Sequence, residues 1–138
     1  MSEKQQTLKE TVKLSGVGLH TGKSVKIQIE PAPENFGYKF QRIDVEGEPI
    51  IEADVDLVVS TERGTTLEKK GVRIYTTEHV LAALVGCQID NALIKINSEE
   101  IPIMDGSSWP FVEAIIAAGK TEQNAEREYF ELDKNIPW

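Results

Sequence analysis

The 138-residue chain has a single cysteine, Cys87, and only two histidines, His20 and His79. One thiol excludes an intrachain disulfide and any cysteine-rich metal site, and it suits a reducing compartment. Cys87 is therefore read as a small core residue. Cations are also scarce: 15 Lys and Arg stand against 23 Asp and Glu, a formal charge of -8 at pH 7. That balance excludes a general nucleic-acid binder, which needs clustered Lys and Arg to meet phosphates. No stretch approaches the roughly 20 apolar residues of a membrane span, and the opening MSEKQQTLKE lacks the apolar centre of a signal peptide. A cytoplasmic protein with no membrane span is the expectation.

What is present is ordinary for a soluble globular chain, with 40% hydrophobic and 28% charged residues in a length that suits one domain. Alternation predicts strands over Thr7 to Leu14 and Ser24 to Glu30, where Val25, Ile27 and Ile29 share one face. Further short strands are expected over Tyr38 to Arg42, Ile50 to Ile51, Asp56 to Ser60, Val72 to Tyr75 and Asn91 to Asn97. The period changes to that of a helix over Thr77 to Val85, with Val80, Leu81, Leu84 and Val85 as its stripe and Gly86 as its stop. A second helix is expected in SSWPFVEAIIAAG, capped by Ser107 or Ser108, with Phe111, Val112, Ile115 and Ile116 apolar and Gly119 closing it. Strands interrupted by two helices predict an α+β two-layer sandwich, a mostly antiparallel sheet with both helices packed on one face. The tail AEREYFELDKNIPW starts polar and turns into another strand-like alternation.

Three glycines in GVGLHTG, Gly16 to Gly22, suggest a nucleotide loop, but their spacing is wrong and an alternating strand follows where a dinucleotide site needs a helix. A turn is the better reading, and His20 is then either its polar tip or the rim of a site. Glu78-His79 at the start of the first helix also reads two ways. As structure, Thr76 or Thr77 caps the helix, Glu78 meets its positive end and His79 is polar surface. As chemistry, an imidazole at a helix N-terminus is biased toward the neutral form that ligates zinc, and an adjacent glutamate can take a proton from water. Catalytic zinc usually takes three protein ligands, so one histidine leaves two to be found. Asp105, in IPIMDGSSWPF, is either an Asx-turn residue or a carboxylate that orients a catalytic group.

In this order, GVGLHTG, PAPENFG, TTEHVLAAL, the IDN of Ile89 to Asn91 and EIPIMDGSSWPF resemble the N-terminal half of the zinc-dependent UDP-3-O-acyl-N-acetylglucosamine deacetylases, which act in lipid A synthesis in Gram-negative bacteria. The resemblance runs from about Thr7 to the end of the chain. It implies two similar α+β domains packed face to face around a cleft, with residues 1–125 as the first and 126–138 as the start of the second. It further implies metal-assisted amide hydrolysis, with Glu78 as general base and His79 as one zinc ligand. His20 and Asp105 support the cleft. The remaining ligands belong to an HKxxD motif of the second half, which this sequence does not contain. One departure is local: in STERGTTL, Ser60 to Leu67, the residues Glu62, Arg63 and Gly64 stand where many relatives carry bulkier apolar ones.

The expectation is thus half of a deacetylase, inactive by itself, whose partners are the UDP-3-O-acyl-GlcNAc substrate and the missing C-terminal domain. The face meant for that domain is expected to be apolar and to drive self-association. Two alternatives are a complete small zinc hydrolase using His20 and His79, and a non-catalytic binding or scaffold module.

Overall fold

The computed structural model of the chain describes residues 4–60 and 64–127. Glu62 and Arg63 of the departing loop, and the strand expected in the tail past Arg127, lie outside the described residues. The described residues form ten strands and two helices. In chain order these are β1 (Lys4–Leu8), β2 (Val12–Val17), β3 (Ser24–Pro31), β4 (Tyr38–Arg42), β5 (Ile50–Glu52), β6 (Val58–Ser60), β7 (Thr66–Lys69), β8 (Val72–Ile74), α1 (Glu78–Gly86), β9 (Ala92–Ile96), α2 (Trp109–Ala118) and β10 (Lys120–Glu126). The fold is α+β, as the alternation and the two helical stripes predict.

The main sheet has the order β2-β3-β9-β4-β5 and is antiparallel except where β4 lies parallel to β9. Register sets Val12, Ile29, Ile94, Phe40 and Ile51 side by side across all five strands, and each is buried. This row belongs to the core against which Val80, Ala83 and Leu84 of α1 and Phe111 and Ile115 of α2 pack. Pleating sends the intervening Lys26, Gln28 and Glu30 to the other face. Two smaller sheets complete the fold, the antiparallel pair β1-β10, which joins strands from opposite ends of the described chain, and the meander β6-β7-β8.

Three details differ from the sequence expectation. The strand expected over Thr7 to Leu14 is divided: the Lys9 N–H donates to the Gly119 carbonyl at 2.9 Å, and past it the chain passes from the β1-β10 pair into the main sheet. Asp56 to Ser60 opens as a 3-10 turn, Val55–Leu57, before β6. The apolar stripes are wider than the packed faces, so Val85 and Ile116 are exposed by 63% and 65%. Cys87 is half-buried against the core rather than inside it, and burial raises its thiol pKa.

Candidate active site at the start of the first helix

The approach to α1 is held by contacts that the cap expectation did not foresee. Thr77 occupies the cap position, yet its hydroxyl donates to the Thr65 carbonyl at 3.1 Å, not to a helix N–H. The Thr77 N–H donates to the same carbonyl at 3.1 Å. Thr65 then donates its own N–H to Glu78 Oε1 at 2.9 Å, so one residue fixes both the helix start and the first acid. Gly64 makes this closeness possible. It has φ +85, and a Cβ there would meet Glu78 Oε2 at 2.7 Å.

Glu78 and His79 are both partly open, with side chains 38% and 30% exposed. Glu78 Oε2 lies 3.9 Å from His79 Nε2, side by side but beyond hydrogen-bond reach. Asp105 sits in a turn where its Oδ1 accepts the Ser107 N–H at 2.9 Å and the Ser107 hydroxyl at 2.6 Å. Those two bonds lower the Asp105 pKa from its ordinary value, and the charge of nearby His79 adds to the effect. The turn reading of Asp105 therefore holds.

His20 is at the tip of the β2-β3 turn, closed by Gly18 N–H to the Lys23 carbonyl at 3.0 Å. Its ring, 34% exposed, borders a pocket of about 230 Å³ lined by His20, Thr21, Tyr75 and Glu99. Its backbone N–H donates to Glu100, a wholly buried carboxylate that the sequence reading passed over. Glu100 also accepts from the Thr76 hydroxyl at 3.1 Å, which links the His20 turn to the start of α1. Glu100 opens the EIPIMDGSSWPF motif, but neither composition nor alternation separates this buried acid from its half-buried neighbour Glu99. Among the described residues, no group of three or more His, Cys, Asp or Glu is gathered to hold a metal ion.

A family model described as UDP-3-O-acyl N-acetylglycosamine deacetylase, LpxC, matches residues 5–138. The chain belongs to this deacetylase family. A relative from Bacteroides thetaiotaomicron named bifunctional enzyme LpxC/FabZ is 48% identical over 133 residues, 96% of this chain and 29% of that protein. Another from Porphyromonas gingivalis with the same name is 47% identical over 134 residues, 97% of this chain and 29% of its own length. The UDP-3-O-acyl-N-acetylglucosamine deacetylase of Saccharophagus degradans is 45% identical over 133 residues, 96% of this chain and 44% of the relative. The chain thus spans less than half the length of each of these relatives. Among the described residues, no helix is long and apolar enough to cross a membrane.

Proposed function

We propose that this chain is the N-terminal half of a cytoplasmic, zinc-dependent hydrolase that removes the acetyl group from UDP-3-O-acyl-N-acetylglucosamine in lipid A biosynthesis. Residues 1–125 are its first domain, and 126–138 open the second. The observation that carries the reading is the Glu78-His79 pair of a deacetylase-family chain, partly open to solvent at a helix start and not bonded to each other. The chain's share of its relatives' length supports the division into halves.

The donor chemistry fits zinc as one side of a site. His79 offers an imidazole nitrogen, and the adjacent Glu78 is a carboxylate suited to proton transfer. The other ligands come from the second half, so the isolated chain is inactive: one imidazole does not hold a catalytic zinc. Zinc, when bound, supplies Lewis acidity toward the acetamide carbonyl.

This chain's residues do the rest. Glu78 takes the proton of the attacking water on Oε2, while the Thr65 N–H steadies Oε1. The acetamide C–N bond breaks, acetate leaves, and the sugar amine takes up the proton. Asp105 steadies His79 through its charge, and His20 lines the rim.

The test is made in the longer enzyme. Glu78→Gln is expected to lower kcat by about 10²-fold or more with zinc retained, the usual cost of losing a general base. His79→Ala is expected to lose bound zinc as measured by metal analysis. Near-normal turnover in Glu78→Gln overturns the assignment.

A further inference from the structure

We propose that Glu100 is a positioning residue that sets the start of α1, and through it Glu78 and His79, against the His20 turn; this deepens, and rests on, the deacetylase reading of that site. The Glu100 side chain is 0% exposed. A carboxylate in such a place persists only where donors surround it. Its donors come from two segments. From the β2-β3 turn, the His20 N–H lies 3.0 and 3.2 Å from its two oxygens, and the Thr21 N–H lies 3.0 Å from Oε1. From the segment before α1, the Thr76 hydroxyl donates to Oε2 at 3.1 Å.

Both segments are shaped around this acid. A Cβ on Gly18 would come within 2.5 Å of Glu100 Oε1, so the turn wraps more closely than any other residue permits. Thr76 has φ +61, a left-handed conformation that is strained for a β-branched residue and that persists where its surroundings over-determine it. Glu100 provides that over-determination, because its carboxylate and the Tyr75–Glu100 bridge hold the chain on either side of the strained bond. Only Thr77 separates Thr76 from Glu78. A shift of Thr76 is therefore passed directly to the base and its neighbouring imidazole. On the opposite side, Glu100 Oε2 lies 4.0 Å from His20 Nε2 and so biases the ring that borders the rim pocket. One buried charge thereby sets two separated parts of the site.

The test uses the longer enzyme with its zinc, and compares Glu100→Gln, Thr76→Val and Thr76→Ser with Glu78→Gln as reference. Glu100→Gln keeps the shape but replaces an acceptor oxygen with a donor. It is expected to lower kcat by about 10- to 100-fold per folded, zinc-loaded molecule, with KM changed much less, as for a misplaced catalytic group. Hydrogen exchange of peptides covering residues 17–22 and 75–80 is expected to speed up in the same variant. If Glu100→Gln does not fold, the threonine pair decides: Thr76→Val should lose turnover, and Thr76→Ser, which keeps the hydroxyl, should recover most of it. Unchanged kcat in Glu100→Gln, or in Thr76→Val, overturns the proposal while an inactive Glu78→Gln leaves the deacetylase reading standing. If Glu78→Gln is itself fully active, that reading fails, and exchange alone then decides: unchanged protection in both segments overturns the positioning role.

Discussion

A carboxylate that must take a proton needs one oxygen steadied and the other left open, and Glu78 meets this through a single neighbour, Thr65. The arrangement depends on Gly64, which in sequence reads only as a departure from bulkier relatives. Gly64→Ala adds a Cβ 2.7 Å from Glu78 Oε2 at a φ of +85, where L side chains are strained. We expect it to cost about 1 kcal/mol or more in denaturant midpoint, and to lower kcat because the carboxylate must move aside. Asp105 gives a second prediction. Ser107 holds its pKa below 3.8, so its folded value is lower than its unfolded one. Its contribution to stability is present above the unfolded pKa and is lost as pH falls through the folded value. In Ser107→Ala, a carbon-detected NMR titration should show Asp105 moving up toward 3.8; an unmoved midpoint rejects Ser107 as the cause. At this scale the sequence was legible where residue types are rare. Two histidines direct attention at once to His20 and His79, whereas Glu100 is one of 23 acids and the strain at Thr76 leaves no trace in composition.

Elements were legible where one face is apolar. Tyr38 to Arg42 and Asn91 to Asn97 alternate cleanly because they lie in the main sheet, with buried Phe40 and Ile94 opposite each other. Two strands escaped notice. In β7, TLEK has two buried residues followed by two half-buried ones, which is no alternation. In β10, KTEQNAE has no apolar pattern at all. It is held instead by amides: Asn91 Nδ2 donates to Gln5 Oε1 at 2.9 Å and Gln123 Oε1 at 2.7 Å, and Gln123 Nε2 donates to the Ala32 carbonyl at 2.9 Å. Buried Asn91 is the centre of this network, since its Oδ1 also accepts the Gly37 N–H at 2.8 Å. Asn91→Ala leaves several buried polar groups without partners, each costing about 1–3 kcal/mol. We expect faster exchange in β1 and β10 together, with the β3-β9 amides still protected. Loss of protection in the main sheet alone would contradict the assignment of β10 to this network.

For the whole molecule, fold class and family were legible because five motifs keep their order along the chain, a signal that no single one carries. The outward side of the helix layer was legible only in part. Its stripes predict apolar helices, but only the structure separates the packed Val80, Leu84, Phe111 and Ile115 from the exposed Val85 and Ile116. Beside Ile116 runs an apolar groove lined by Gly86, Cys87, Val112, Ile115 and Gly119. If the second half covers this side in the proposed enzyme, we expect the isolated chain to offer it to another copy. Net charge -8 opposes such association, and salt screens that repulsion without weakening apolar contact. Sedimentation of the isolated chain should therefore show mass that rises with concentration and rises further with added salt. Val85→Asn with Ile116→Asn removes apolar surface at unchanged charge. It should return the chain to a salt-insensitive monomer, whereas association that persists in this variant places the contact elsewhere, for example on the lysine-bearing outer face of the main sheet.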